Sequence, residues 1–193
     1  MQYAVDELRQ RNRKLRAELT AGQLDQAAAR LFGAIRALPE FINADKIAAY
    51  LAVDGEISLK PVIDHALALG KKIYLPNLDL KLLRFSPFFH GQKMRTNRFR
   101  LPEPDVADDA MLPPALLDLV LTPLVAFDAQ CNRIGMGGGY YDRCFEFRKQ
   151  PGRNKPILIG VAHELQKTEL LEPKAWDVRL DMVVSDAATY RHC

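Results

Sequence analysis

Residues 133–143 read Arg133-Ile134-Gly135-Met136-Gly137-Gly138-Gly139-Tyr140-Tyr141-Asp142-Arg143, and they hold four of the chain's eleven glycines. Glycine has no Cβ, so this backbone is free to take positive φ and to approach a ligand closely. Apolar, strand-like residues precede it: Leu119-Val120-Leu121-Thr122-Pro123, then Leu124-Val125-Ala126-Phe127-Asp128. Residues 140–148 read as a helix with mixed faces. A glycine-rich turn between a strand and a helix N-terminus makes an anion site, because unpaired backbone N–H groups and the positive end of the helix dipole converge there. Arg133 and Arg143 flank it with formal charge. Asp142 offers the hard oxygen that a divalent cation takes beside a phosphate. No Gly-Lys-Ser/Thr closes the stretch, so it is not a Walker A loop. It also lacks the small sixth residue and the early position of a dinucleotide fingerprint. Taken alone, a glycine cluster also reads as a plain flexible turn.

Outward from this loop, the pattern is that of an α/β protein. Lys46-Ile47-Ala48-Ala49-Tyr50-Leu51 is a short apolar run that predicts a buried strand. Residues 52–57 form a loop with Asp54-Gly55 as its turn. Ser58 caps a helix running to residue 69, Gly70 ends it, and 72–76 is the next strand. Such a strand–helix–strand unit implies a parallel sheet, and parallel sheets bind ligands beyond the carboxyl ends of their strands. Residues 51–56 lie at such an end. Residues 81–88 predict a strand, hairpin-like with its neighbour. Residues 97–104 predict an extended loop, since Pro102 and Pro104 bias their predecessors away from helix. Strands are expected over 118–122, 156–162 and 176–185, the last closing the domain. His163, alone at a strand end, reads as structural.

The N-terminal part is helical. Leu8, Leu15 and Leu19 stand at helical spacing among Arg9, Arg11, Arg13, Lys14 and Arg16, predicting a basic helix over 5–19 whose arginines mostly face solvent. Thr20 caps a second helix over 23–38, ended by Pro39.

Composition narrows the class. A chain of 193 residues with 48% hydrophobic and 26% charged residues suits one globular domain over 1–193. A net charge of +3 suits an anionic small ligand and does not call for nucleic acid. RNA binding through the basic helix is further disfavoured because no aromatic platform interleaves with its arginines. No apolar run approaches the roughly 20 residues of a membrane span. Cys131, Cys144 and Cys193 have no metal-like spacing and suggest free thiols in a reducing cytoplasm. A cytoplasmic monomer without membrane contact is expected.

The segment Leu121-Thr122-Pro123-Leu124-Val125-Ala126-Phe127-Asp128, followed after a short gap by residues 133–143, closely resembles the signature of the 5-formyltetrahydrofolate cyclo-ligase family, the methenyltetrahydrofolate synthetases. The resemblance spans nearly the whole chain and is strongest over 118–143. It implies a Rossmann-like single domain, a mainly parallel central sheet flanked by helices, with an N-terminal helical pair. It also implies ATP- and Mg²⁺-dependent conversion of 5-formyltetrahydrofolate to 5,10-methenyltetrahydrofolate. By that resemblance ATP lies on Arg9, Arg133, Ile134, Gly135, Met136, Gly137, Gly138, Gly139, Tyr140 and Tyr141. Folate lies on Leu51, Glu56, Phe99 and the backbone of 136–140. Asp142 and Asp177 hold Mg²⁺.

Residue by residue, other readings stand beside these. Phe99 is equally readable as a core phenylalanine. Asp177 on its own reads as an exposed turn residue, and Asp181 as a strand-entry turn. The chain departs from a common family form, which has Lys where Val5 stands, Arg at Met136 and Lys at Gly138. Rival classes are a sugar-phosphate isomerase or acyl-CoA transferase on a related scaffold, which need neither ATP nor Mg²⁺, and a non-catalytic folate-binding homologue.

Overall fold

The computed structural model describes residues 2–79 and 82–192. Lys81, expected to open a strand, and Cys193 lie outside the described residues. The chain begins with α1 (Gln2–Ala17) and α2 (Ala21–Arg36). Thr20 caps α2 reciprocally with Gln23: the Gln23 N–H donates to Thr20 Oγ1 at 3.3 Å and the Thr20 N–H to Gln23 Oε1 at 2.9 Å. Pro39 does not simply end this helix. It opens a further one, α3 (Pro39–Asn43), because a first-turn position needs no N–H donor.

Next come β1 (Lys46–Ala48), α4 (Lys60–Ala68), β2 (Lys72–Asp79) and β3 (Leu82–Phe88). β1 and β2 pair in parallel across α4, as the crossover pattern predicts, and β3 folds back antiparallel on β2. Gly70 ends α4 at φ 73°, with its N–H on Leu67 O and the Lys71 N–H on Ala66 O, the paired bonds of a left-handed helix stop. Residues 97–104, expected as an extended loop, supply β5 (Pro102–Pro104), which pairs antiparallel with β4 (Met94–Thr96) just before them. Two-stranded ribbons leave one side of each strand unpaired, where prolines cost no ladder bond.

The remaining strands are β6 (Leu119–Pro123), β7 (Ala126–Phe127), β8 (Arg133–Ile134), β9 (Ile157–Ala162), β10 (Met182–Ser185) and β11 (Thr189–Arg191), with α5 (Tyr140–Cys144) between β8 and β9. The main sheet runs β11-β10-β9-β6-β1-β2-β3. Its inner pairs are parallel, and its edges, β3 and β11, are antiparallel. The α/β fold class is as expected. The closing strand is not the last, however. Ser185 Oγ accepts the N–H groups of Ala187 and Ala188 at 3.2 and 2.9 Å, turning the chain back into β11. Thr189-Tyr190-Arg191 has no apolar run to announce a strand. α5 is also shorter than the predicted helix over 140–148, giving way to a tight 3-10 turn at Glu146–Lys149.

Alternate residues of the central strands enter different apolar clusters, so both faces of the sheet are covered. Ile47, Leu119, Ile159 and Val184 join the side packed by Leu31 and Ile35 of α2 and Ile63 of α4. Ala48, Val120, Leu158 and Val183 join Phe85, Phe127 and Phe145. Gly160 lies under that second side. A Cβ there would stand 2.5 Å from Leu180 Cδ1 and 2.8 Å from Leu124 Cδ2. Gly160→Ala is therefore expected to lower stability by about 1–3 kcal/mol through overpacking. The check is a lower urea midpoint at unchanged slope.

Candidate active site

The glycine loop, α1 and the segments leaving β1 and β6 enclose a cavity of about 1940 Å³. Single-ligand pockets run to roughly 300–1,000 Å³, so this one has room for two substrates side by side. The residues that the family resemblance assigns to ATP, folate and Mg²⁺ all line it: Arg9, Leu51, Glu56, Phe99, residues 133–142 and Asp177.

The loop is not joined directly to β6. A β7–β8 hairpin intervenes, organised by Asp128, which is fully buried. Asp128 Oδ1 accepts the N–H groups of Gln130 and Asn132 at 3.0 and 2.9 Å, and Oδ2 accepts Asn132 Nδ2 at 2.8 Å and the Leu171 N–H at 2.9 Å. This carboxylate thus sets the take-off of residues 133–139 and ties them to the 171–177 segment. Gly137 and Gly139 take φ of 97° and 63°, which only glycine adopts without strain. The Tyr140 ring fills the space beside Gly138, where a Cβ would lie 2.7 Å from Cε2. A side chain at 138 therefore requires that ring to move. The dipole of five-residue α5 is small, so the anion-binding character expected of its N-terminus rests on the loop N–H groups and on Arg9.

Arg9 reaches across from α1. Its Nε donates to Gly135 O at 2.9 Å and its Nη1 pairs with Asp6 at 2.6 Å. Its guanidinium carbon lies 3.6 Å from where a Gly137 Cβ would be. Arg133, expected as a cation facing phosphate, instead turns inward. Its side chain is 7% exposed, with Nη2 2.6 Å from Asp142 Oδ1, and its Nη1 donates to Val178 O. Asp142 Oδ1 also accepts the Val178 N–H at 3.0 Å. These bonds bring Asp142 to the peptide that follows Asp177, whose Oδ2 accepts the Lys174 N–H at 2.8 Å.

Among the described residues, no group of three or more His, Cys, Asp or Glu side chains forms a metal cage. Nucleotide-bound Mg²⁺ needs none: it is held by one or two carboxylates, with phosphates and waters completing the octahedron. Asp142 and Asp177, on the wall of one cavity, fit that donor set. Asp181 does not join them. It pairs with Arg148 at 2.8 Å and accepts the Leu158 N–H at 2.7 Å, bracing the entry to β9 and β10.

Glu56 follows a tight turn. Asp54 and Gly55 have φ of 49° and 72°, and the Glu56 N–H closes the turn on Val53 O at 2.9 Å. Both central residues are left-handed, which Asp-Gly tolerates best. Gly55 sits so close to α1 that a Cβ would lie 2.7 Å from Arg16 O. His163 Nε2 meets Gly55 O at 3.1 Å, so this histidine is structural, as expected. The Glu56 side chain is 13% exposed and its Oε2 accepts the Val53 N–H at 3.2 Å. Burial raises its pKa above the ordinary carboxylate value, opposed by that N–H and by the Arg16 charge. Burial likewise pushes the Tyr141 hydroxyl well up, so it stays a neutral donor. Phe99 is no core residue. It is 49% exposed, edge-on to the Tyr140 ring at 6.2 Å, and Arg98 Nη2 donates to the Tyr140 hydroxyl at 3.0 Å.

The inner face of α1 overturns a simpler expectation. Among the described residues of α1 the buried ones are Asn12 and Arg16, while Leu8 and Leu15, and Leu19 just beyond the helix, are only half-buried. Carbonyls of the β6–β7 connection face this helix and need donors: Asn12 Nδ2 reaches Val125 O at 2.9 Å. Gln166 Nε2 reaches Leu124 O at 2.8 Å from the other side. Hydrophobic periodicity carries no signal for such a polar seam. Asn12 and the burial of Arg16 were therefore invisible in the sequence, as was the hydrogen-bonding role of Asp128.

The sequence profile of the 5-formyltetrahydrofolate cyclo-ligase family matches residues 2–186. The chain belongs to that family. It is 34% identical over 193 residues to the 5-formyltetrahydrofolate cyclo-ligase of Escherichia coli strain K12, covering 95% of this chain and 98% of that one. To the enzyme of the same name from Haemophilus influenzae it is 39% identical over 181 residues, 90% of this chain and 93% of the relative. The structure of Aquifex aeolicus 5,10-methenyltetrahydrofolate synthetase superposes with a TM-score of 0.83 at 28% identity, covering 97% of this chain and 92% of the other. The mostly parallel sheet and flanking helices are thus the fold of a cyclo-ligase, and the cavity lies where that fold opens at its strand ends.

Proposed function

We propose that this chain converts 5-formyltetrahydrofolate to 5,10-methenyltetrahydrofolate, consuming ATP and releasing ADP and phosphate, with Mg²⁺ bound by Asp142 and Asp177. The observation that carries the reading is one cavity of about 1940 Å³ lined by both halves of the required site. One half is the glycine loop with Arg9, rich in N–H donors and positive charge. The other is the Leu51–Glu56 corner with Phe99 and Tyr140, an apolar slot with a carboxylate at its edge. A carboxylate only accepts, which suits the N–H-rich edge of a reduced pterin.

The formyl oxygen on N5 of the folate is a poor leaving group. It attacks the γ-phosphoryl group of ATP, ADP departs, and the oxygen becomes a phosphate ester of an activated imidate. N10 then attacks the formyl carbon, losing its proton, and phosphate leaves with the oxygen as the ring closes. The protein's work is alignment and neutralisation of charge. Residues 135–141 cradle phosphate oxygens through backbone N–H groups. Arg9 adds a cation from α1. Arg133 acts from behind, fixing the Asp142 carboxylate on the loop. Asp142 and Asp177 would hold Mg²⁺, which when bound would supply Lewis-acid stabilisation of the transferring phosphoryl group. Glu56 and Leu51 orient the pterin, with Phe99 against its ring.

Supporting observations extend to setting. The walls come from residues 5 to 192, so they draw on nearly the whole length of the chain, in keeping with a single domain. Cys144 is a free thiol, in keeping with the cytoplasm. Among the described residues, no helix is long and apolar enough to cross a membrane. Inorganic phosphate release in the presence of MgATP is the test. It is expected only when 5-formyltetrahydrofolate is added, one phosphate per methenyl product. Phosphate release independent of folate, or none at all, contradicts the reading.

A further inference from the structure

Arg16 stands on the inner face of α1 with its side chain 1% exposed. Among the described residues, its Nε and Nη2 have no hydrogen-bond partner. Its Nη1 has one long contact, 3.5 Å to Leu124 O. Arginine is the side chain least able to shed its proton, so this is a buried, under-satisfied cation. Burial weakens its hold on the proton, and Glu56 is the first of the charges that restore it.

Nη1 lies 3.9 Å from Glu56 Oε1, in ion-pair range but too far to hydrogen bond. The distance has a chemical consequence. Arg16 supplies charge to Glu56 without consuming an acceptor site on the carboxylate. Oε2 is engaged by the Val53 N–H, while Oε1 remains open at the cavity wall. The same turn packs closely on α1, where a Cβ at Gly55 would lie 2.7 Å from Arg16 O.

We propose that Arg16 is a positioning residue that keeps Glu56 ionised and fixed at the cavity wall with an acceptor oxygen left for the substrate. That the substrate is the pterin of a reduced folate rests on the function proposed above; the ionisation of Glu56 does not. The surrounding groups leave the task to Arg16. Asp54, in the same turn, opposes ionisation of Glu56. Asp54 is itself offset by Arg13 of α1 at 3.4 Å. Tyr50, after β1 and buried, and Tyr141, on α5 and partly buried, are neutral. His163 contacts Gly55, and burial lowers its pKa toward the neutral form. Without Arg16, a carboxyl group this buried would take up a proton, become a donor at one oxygen, and lose its match to N–H groups.

The test is a pH titration of the Glu56 carboxyl carbon by NMR in ¹³C-glutamate-labelled protein, assigned by its loss in Glu56→Gln. In the wild type Glu56 is expected to be ionised at pH 7. In Arg16→Gln its midpoint is expected to rise by about one pH unit or more, the effect of losing an opposite charge within roughly 4–6 Å. Arg16→Lys keeps the charge and is expected to restore most of the shift. In turnover, the acid limb of kcat/KM for 5-formyltetrahydrofolate should move up with the titration, while KM for ATP holds. A Glu56 found protonated at pH 7 in the wild type overturns the proposal even if Arg16→Gln fails to fold. So does an unchanged midpoint in folded Arg16→Gln. A normal folate KM in Glu56→Gln would separately withdraw the pterin assignment, with the titration still deciding the role of Arg16.

Discussion

Asp142→Asn is expected to cut turnover by about 10³-fold or more while the protein stays folded. The size follows from the several kcal/mol that a bound metal contributes to phosphoryl transfer, at about 1.4 kcal/mol per factor of ten. The fold should survive because the asparagine carbonyl replaces Oδ1 as acceptor for the Val178 N–H and for Arg133 Nη2, now at 3.0 and 2.6 Å. What disappears is the charge, both for Mg²⁺ and for Arg133, whose side chain is 7% exposed. A lower melting temperature is therefore expected as well, reflecting about 1–3 kcal/mol for a weakened buried partner. The two effects separate by measurement. Turnover at saturating ATP should remain low at temperatures far below the new melting point, and raised Mg²⁺ should recover only part of it. An Asp142→Asn protein with ordinary turnover and Mg²⁺ dependence would remove Asp142 from the metal site.

Glu56→Gln is expected to raise KM for 5-formyltetrahydrofolate by about 10- to 100-fold, the loss of roughly 1.5–3 kcal/mol of charged hydrogen bonding. Glutamine keeps an acceptor for the Val53 N–H, so the turn at 53–56 should hold. It brings an NH₂ group where the pterin edge presents donors, so the loss includes a mismatch as well as a lost charge. The pH dependence has a definite sign. Burial raises the Glu56 carboxyl above its ordinary value. Substrate binding that requires the carboxylate is therefore complete above that raised midpoint and lost as pH falls through it. Glu56→Gln, with no group to titrate, should lack this acid limb while remaining weak at every pH. Initial rates across pH with varied folate would show it. A change confined to the KM for ATP would refute the pterin role.

Much of this site was legible before any coordinates. The glycine loop is legible because glycine at positive φ is a backbone requirement written in residue type, met here at Gly137 and Gly139. The turn before Glu56 is legible for the same reason in Asp54-Gly55. The parallel crossover follows from a helical stretch between two apolar runs. The polar frame behind these features was not legible. Asp128 holds the β7–β8 hairpin through backbone N–H groups, and any loop carboxylate could be drawn there from sequence alone. Arg133 carries formal charge beside the loop, yet that charge is spent on Asp142 and Val178. The leucines of α1 suggested an apolar inner face, whereas free carbonyls on the opposing segment select Asn12 and Arg16. β11 was missed because a three-residue edge strand has too few residues for alternation to register. Pattern reading finds positions whose chemistry is intrinsic to the residue. It misses those whose role is fixed by an acceptor or donor brought in from more than 100 positions away, as Val125 is to Asn12.

The measurement that bears most directly on the central claim is the near-ultraviolet absorbance of 5,10-methenyltetrahydrofolate formed by the purified protein from 5-formyltetrahydrofolate, ATP and Mg²⁺. The structure and its family predict a signal that requires all three components and vanishes when any one is omitted. A folded protein that binds both substrates and gives no methenyl product, or gives it without ATP, would contradict the account.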